Sequence, residues 1–490
     1  MLSKKFLDEI PQRKSPLLLE ELAFDAISTF VGNIMQRILL THCTKRIVDL
    51  NCTEVFTTVT LDLSMLENYL HSNFPRVLAA KMTSHLLKGI GAIVDTVACS
   101  NDSFKTTGDT TCKHIVSQFI ISSINAHLTC VDMSKEPYLI RKVLSENLNK
   151  IPKLEILSIR AYDKWNKSKN VILRNLCSLE NLVCFNMKQD CTDDVIMTLV
   201  QNCRKLKSLI ANGSVNLTNA CIVSLLQLQD LEQLELCTTR ITEVGYCHLF
   251  TKMAQNKNFN TDDDSSHGTP LKIVGCSLIK NGMLEILLKH SNLKVVSLSS
   301  LFCDLSLLKD LKFLEQLKLE GGHFLTDNIK GLIQEKGSSL YLLELFLIQD
   351  IDLQWLGKYC TELKNLSIRS CTFSSSIPLS GRSSKVVAFR KVEELVFYVQ
   401  CTIEYIYFLL VNCINIRKVT VGLIKPVNDA FIADILSQNP MKQLEEFSVY
   451  FSDLTLKKCS AFNEKLSKFI SSWWIRIMGN FSVRIEAIAW

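Results

Sequence analysis

The stretch KYCTELKNLSIRSC, residues 358–371, places two cysteines around a short alternation of apolar and polar residues. Leu363, Leu366 and Ile368 follow the spacing Leu-x-x-Leu-x-Ile, and alternate side chains of a strand point to the same face. The bracketing cysteines raise the question of a metal site or a disulfide. If the stretch recurs along the chain, its cysteines belong to a repeat and not to a separate site.

The same apolar spacing recurs over most of the 490 residues. Twelve segments carry it, mostly at or near the roughly 20–29-residue intervals of leucine-rich repeats. They begin at Leu154, Leu182, Leu206, Leu231, Leu271, Leu293, Leu314, Leu340, Leu363, Val392, Ile416 and Leu444. A single strand–turn–helix unit cannot bury its apolar side, so stacked units share one core. The sequence therefore predicts an α/β leucine-rich-repeat solenoid, shaped like a horseshoe.

Helical patterns fill the intervals between these strands. TDDVIMTLVQNC, TEVGYCHLFTKMA and TDNIKGLIQEKG open with Thr192, Thr242 and Thr326, and threonine is a preferred helix-capping residue. The first 120 residues lack the repeat. We predict a helical docking and capping region over 1–120, leucine-rich repeats over 121–455, and a C-terminal cap over 456–490.

The cysteines fit the repeat better than they fit a metal site. Cys203, Cys360 and Cys413 each stand three residues before the first apolar residue of a strand segment. Free cysteine is a small hydrophobe that suits a tight buried turn. No Cys-x-x-Cys pair is present, which argues against structural zinc. We predict free thiols in a reducing compartment, a cytoplasmic location with the nucleus left open, and no membrane contact.

Two further ligand classes receive little support. The polar segment 256–270 contains Asp262, Asp263 and Asp264, but it lacks the alternating ligands of known calcium loops, so we predict a solvated insertion. The net charge of +6 comes with scattered lysines, which argues against nucleic-acid binding. No catalytic motif is present. We predict a binding protein that is not an enzyme and needs no cofactor.

The N-terminal region carries two short motifs. KSPLLLEELAFDAISTFVGNIM predicts an amphipathic helix that opens at Ser15–Pro16, and FPRVLAAKM follows further on. Together with the repeats, they resemble the leucine-rich-repeat substrate receptors of cullin–elongin ubiquitin ligases, of the Zyg-eleven/Zer-one type. The resemblance assigns an elongin-binding box to Leu19, Ala23 and Ile27, with Ala23 at the usual cysteine position. It assigns a cullin box to Phe74, Pro75, Leu78 and Met82.

The resemblance implies a non-catalytic substrate-recognition subunit of a multi-subunit E3 ubiquitin ligase, with elongin B/C, a cullin and a protein client as its partners. Two alternatives remain open. The cysteine-bearing repeats also resemble those of F-box proteins, which dock Skp1-type adaptors, although the Leu-Pro-x-Glu opening of an F-box is missing. The chain could also be a repeat adaptor or inhibitor scaffold unrelated to ubiquitin.

The client site is predicted on the strands. In Leu-x-x-Leu-x-Leu-x, the last two x positions point away from the core, toward the concave surface of a solenoid. In the later repeats these positions hold aromatic and arginine residues, which are enriched in interface hot spots. The predicted client-binding residues are Lys318, Glu320, Phe346, Ser367, Arg369, Tyr398 and Tyr450.

Overall fold

The structure is a computed structural model. It describes residues 19–44, 68, 76–100, 110–134, 136–160, 165–256, 271–374, 388–398, 403–423, 434–435, 437–451, 473–478 and 482–487. The chain divides into two compact units, Met1–Leu231 and Glu232–Trp490. This boundary falls inside the predicted repeat region, and the three-part division proposed from the sequence stays a prediction.

The first unit begins with helices and continues into strand–helix repeats. Its helices are α1 (Leu19–Thr44), α2 (Arg76–Ser100), α3 (Thr110–Ser123), α4 (Tyr138–Glu146), α5 (Trp165–Leu176), α6 (Asp193–Asn202) and α7 (Ile222–Leu225). Its strands are β1 (Cys130–Asp132), β2 (Ile156–Ser158), β3 (Cys184–Asn186) and β4 (Ser208–Ile210). Strands β1 to β4 pair in parallel with one another in chain order.

The second unit continues the strand–helix repeats, and its strands from β6 onward are longer than those of the first unit. Its helices are α8 (Glu243–Asn256), α9 (Asn281–Leu287), α10 (Ile329–Lys336), α11 (Leu353–Tyr359) and α12 (Ile403–Asn412). Its strands are β5 (Gln233–Glu235), β6 (Ile273–Ile279), β7 (Val295–Leu301), β8 (Gln316–His323), β9 (Leu342–Gln349), β10 (Asn365–Arg369), β11 (Glu394–Tyr398), β12 (Lys418–Leu423), β13 (Glu446–Phe451), β14 (Trp473–Met478) and β15 (Ser482–Ala487). Strands β5 to β13 pair in parallel in chain order, and β15 pairs antiparallel with both β13 and β14.

The predicted repeat is confirmed strand by strand, because β2 to β13 coincide with the twelve segments. The apolar positions form the core, and Leu363, Leu366 and Ile368 are at most 1% exposed. Successive parallel strands joined by helical or turn segments, with this buried pattern, make an α/β leucine-rich-repeat solenoid. Strand β1 was not predicted from the sequence. Its segment has the same spacing, but with Val131 and Met133 in place of the later leucines.

The three predicted helix starts have different outcomes. Thr242 caps α8, since its hydroxyl accepts a hydrogen bond from the Gly245 amide at 3.3 Å. Thr192 directly precedes α6, but its buried hydroxyl makes no hydrogen bond within the described chain. The start at Thr326 is wrong, because a turn through Asn328, at a left-handed φ of 54°, delays α10 until Ile329.

The interpretation of the register cysteines as packing residues is confirmed. Cys203, Cys360 and Cys413 are at most 1% exposed. The Cys203 thiol lies 3.3 Å from the Leu179 carbonyl oxygen of the preceding repeat. Burial raises the pKa of Cys203 and of Cys360 to about 12, because the charged thiolate would lose its hydration. These thiols are therefore neutral parts of the core at physiological pH.

Candidate protein-binding surfaces

Parallel pairing lines up residues of the second unit in rows across the strands. One row, here called the outer row, runs through Ser299, Glu320, Phe346, Arg369, Tyr398, Gly422 and Tyr450. A second row, here called the middle row, runs through Ser297, Lys318, Glu344, Ser367, Val396, Thr420 and Ser448. Adjacent positions in a row lie about 4.8 Å apart, which is the spacing of paired strands.

The structure brings the predicted client residues together in these two rows. Glu320, Phe346, Arg369 and Tyr398 occupy consecutive places of the outer row on β8 to β11. Tyr450 continues that row on β13, one strand beyond Gly422. Lys318 and Ser367 lie in the middle row, on β8 and β10. Their role in client binding stays a prediction.

Ser367 has a supporting position. Its side chain is only 8% exposed, and its hydroxyl accepts a hydrogen bond from Nε of Arg369 at 3.1 Å. This bond uses only the Nε–H group. Because Arg carries five N–H donors, the four on its terminal nitrogens are not used by this bond. Arg369 itself is exposed. Ser367 therefore helps to orient the Arg369 side chain.

An exposed leucine beside the outer row was not predicted from the sequence. Leu347 follows Phe346, and the two residues are 49% and 38% exposed, although successive strand residues should alternate between faces. The alternation breaks because Leu347 has a left-handed φ of 55°. Ser300, Gly321 and Ser370 occupy the equivalent places after their row residues and also have positive φ. No strong sequence signal reveals this bulge, since only one of the four is glycine.

The outward positions of β6 and β7 differ in side-chain size from the outer row on β8 to β11. On β6 and β7 the outward positions are small, and the hydroxyl oxygens of Ser277 and Ser299 lie 2.5 Å apart. Cys237 lies beside them with its Sγ 3.6 Å from the Ser297 hydroxyl. Burial is the main cause that raises the Cys237 pKa to about 11. The Cys237 thiol beside β6 and β7 is therefore neutral. The outer row on β8 to β11, in contrast, carries large and charged side chains.

The N-terminal helices pack closely against each other. The Phe24 ring stacks on His85 at a centroid distance of 5.4 Å, and the Ser28 hydroxyl donates to the His85 carbonyl at 2.9 Å. An added Cβ on Gly89 would lie 2.3 Å from Ser28 Oγ, so a larger residue there would displace this hydroxyl from its bond to His85. The face of α1 that carries Phe24 and Ser28 therefore packs against α2.

The predicted elongin-binding box lies on α1. Leu19, Ala23 and Ile27 are one turn apart in the helix, and the Ile27 side chain is half-buried. Phe30, three residues after Ile27, is 63% exposed and was not predicted as a contact. Positions i and i+3 share a helix face, so this spacing was the available signal. A partner on this side of α1 would meet an exposed aromatic ring.

The predicted cullin box is only partly visible. Phe74 and Pro75 lie outside the described residues, as do the Ser15–Pro16 helix start and the 257–270 part of the insertion with its three aspartates. Leu78 lies in the first turn of α2. The Met82 side chain is 2% exposed, and next to it the Thr83 hydroxyl donates to the Ser123 carbonyl of α3 at 2.9 Å. In this arrangement Met82 contributes to the helical core.

Metal-binding clusters and membrane-spanning helices are absent from the described part of the chain. It contains no cluster of three or more His, Cys, Asp or Glu side chains that could hold a metal ion. None of its helices has both the length and the apolar content that a membrane crossing requires.

Together, the recurring buried spacing and the parallel strand–helix units define a leucine-rich-repeat protein. Among solved structures, the chain is similar to an internalin from Listeria monocytogenes, at 15% identity over 76% of this chain and 95% of that one, with a TM-score of 0.34. It is also similar to Rad7 in the yeast Rad7–Elc1 complex, at 14% identity over 81% and 92%, with a TM-score of 0.41. These likenesses concern the fold. No family model matches the chain, and no curated protein matches its sequence.

Proposed function

We propose that this protein is a non-catalytic substrate-recognition subunit of a multi-subunit E3 ubiquitin ligase. The observation that carries the client-binding part is the alignment of Glu320, Phe346, Arg369 and Tyr398 on four adjacent strands. Aromatic and arginine side chains concentrate binding energy in protein interfaces. Rigid paired strands hold them in place before a client arrives, which lowers the entropy lost on binding.

The adaptor part of the proposal rests on the N-terminal boxes. Elongin B/C would dock on the side of α1 that carries Ile27, and a cullin would approach the region of Leu78. The exposure of Phe30 beside Ile27 supports a partner at this place, since a large exposed apolar side chain near other apolar residues suits a docking face. In this assembly other subunits supply catalysis, in the cytoplasm or nucleus.

Co-expression with candidate adaptors tests the proposal. The full chain is purified after expression with elongin B/C and, separately, with a Skp1-type adaptor. We expect a stoichiometric elongin complex that Phe30→Asp disrupts and that Thr29→Asp, on another side of α1, preserves. A Skp1 complex instead would favour the F-box-like alternative. Capture of neither adaptor would leave a repeat scaffold unrelated to ubiquitin.

Client binding has a separate test. Proteins captured from cells by the full chain are compared with those captured by the double variant Arg369→Ala and Tyr398→Ala. We expect loss of client proteins with elongin retained, because the double variant changes the second unit and leaves α1 unaltered. Unchanged client capture would contradict a site on the outer row.

A further inference from the structure

Charges on neighbouring rows are paired, but two charges of the outer row are not. In the middle row, Lys318 Nζ lies 3.2 Å from Glu344 Oε1 on the next strand. Two residues earlier along the strands, Lys418 Nζ lies 3.3 Å from Glu394 Oε1. Glu320 and Arg369, in contrast, have no ion-pair partner among the described residues. These two ion pairs neutralise their charges across strands, whereas Glu320 and Arg369 keep theirs available.

Register explains why these two charges do not pair with each other. Glu320 lies on β8 and Arg369 on β10, and Phe346 of β9 stands between them in the row. Two strand spacings separate their Cα atoms by about 9.6 Å. That distance is close to the screening length of about 8 Å at physiological ionic strength, so their mutual attraction is weak. Each charge keeps its capacity for an external partner.

The intervening surface is apolar. Phe346 and Leu347 expose 38% and 49% of their side chains between the two charges. Gly321 stands at the corresponding place of the preceding strand, so no side chain covers Leu347 from that position. The order across the sheet is thus an acid, an apolar pair and a base. Opposite signs at the two ends disfavour a polyanion such as nucleic acid, because Glu320 would repel it.

We propose that Glu320, Phe346, Leu347 and Arg369 bind an extended peptide segment of complementary order. A basic side chain of the peptide pairs with Glu320, an acidic side chain pairs with the terminal nitrogens of Arg369, and an apolar side chain between them packs on Phe346 and Leu347. An extended chain in the polyproline conformation advances about 3.1 Å per residue and repeats its face every third residue, or about 9.3 Å. The two charges of the peptide are therefore about three residues apart. This proposal deepens the client site proposed above and rests on it.

Short synthetic peptides test this proposal with the full-length chain. The probes carry a fluorophore and place Leu between two charged residues in four arrangements: Lys-x-x-Glu, Glu-x-x-Lys, Lys-x-x-Lys and Glu-x-x-Glu. We expect one of the two mixed peptides to bind at least about tenfold more tightly than either like-charged peptide, with an affinity that falls as salt rises. Fluorescence anisotropy measures each Kd.

A charge swap provides the sharper control. The double variant Glu320→Arg and Arg369→Glu keeps the net charge and both exposed positions, and we expect it to prefer the opposite mixed peptide. Equal binding of mixed and like-charged peptides, absence of measurable binding, or a swap variant with unchanged preference would each overturn the proposal. Elongin capture distinguishes a failure of the peptide site from a failure of the proposed ligase role. If the chain captures elongin but shows no peptide preference, only the peptide site is overturned. If it shows the peptide preference but captures no adaptor, the ligase role is overturned.

Discussion

The ring of Tyr398 lies over the Cα of Gly422 on the neighbouring strand. An added Cβ on Gly422 would be 2.7 Å from Cδ1 and 3.2 Å from Cε1 of that ring. Real Cβ atoms essentially never approach other atoms as closely as 2.7 Å. Because Tyr398 and Gly422 are register partners on β11 and β12, the missing side chain creates the space in which the ring lies. Tyr398 is thereby held along the row.

Replacing this glycine should move the tyrosine. We expect Gly422→Ala to displace the Tyr398 ring and to weaken client capture several-fold, while overpacking costs about 1–3 kcal/mol of folding stability. Gly282→Ala is the matched control, since an added Cβ at Gly282 meets nothing within 4 Å. Gly282 also lies in a helix, where alanine is preferred to glycine. Client capture and denaturant unfolding check both variants. Equal capture by the two variants would contradict the role assigned to Tyr398.

Two adjacent residues of β9 should separate stability from binding. Leu345 is 1% exposed and Phe346 is 38% exposed. We expect Leu345→Ala to lower the free energy of unfolding by about 2–5 kcal/mol, because it leaves a cavity in the core. Phe346→Ala should lower the free energy of unfolding by only about 1 kcal/mol but should reduce client capture strongly. Denaturant unfolding and capture assays test the pair, and similar effects of both on unfolding would place Phe346 in the core instead.

Leu347 should tolerate glycine better than another leucine of the same strand does. Its left-handed φ of 55° costs an L-residue roughly 1–2 kcal/mol that glycine avoids, and the equivalent residue of the preceding repeat is Gly321, at φ 70°. We expect Leu347→Gly to change stability by less than about 1 kcal/mol. Leu342→Gly, at a half-buried position without positive φ, should be clearly destabilising. Thermal unfolding compares the two, and peptide binding should weaken for Leu347→Gly.

The sequence predicted those features that depend on periodicity. The spacing of Leu363, Leu366 and Ile368 recurs with the strands, so strand positions, buried faces and the alignment of Arg369 with Phe346 followed from it. The bulge at Leu347 did not, because positive φ at a leucine is imposed by the neighbouring strands and has no composition signal. The pairing of Ser367 with Arg369 also depends on a rotamer choice that spacing does not encode.

Helix capping shows a similar limit, and it leads to a prediction at Thr192 and Thr218. Both precede helical turns, but only Thr218 forms the expected bonds: its hydroxyl donates to Asp193 Oδ2 at 2.7 Å and accepts from the Ala220 amide at 3.2 Å. Thr192→Val removes a buried hydroxyl without a partner, so we expect a gain of about 1 kcal/mol. Thr218→Val should lower the free energy of unfolding by about 1–2 kcal/mol, because it removes the capping hydroxyl. Denaturant unfolding of both tests this, and a loss for Thr192→Val would show that its hydroxyl does cap α6.

Buried thiols should make the fold sensitive to alkaline pH. Burial raises the pKa of Cys360 from 9.0 to about 12 in the folded chain, so between these values the unfolded state releases a proton that the folded state retains. Stability is therefore fully present below about pH 9 and falls as pH rises toward 12, by up to about 1.4 kcal/mol per pH unit for each such thiol. Cys360→Ala removes one titrating group, so the stability difference between the parent chain and this variant should shrink above pH 9. Chemical denaturation at a series of pH values measures that difference, which cancels the shared titration of lysines and tyrosines. A difference that stays constant with pH would mean that Cys360 ionises equally in both states.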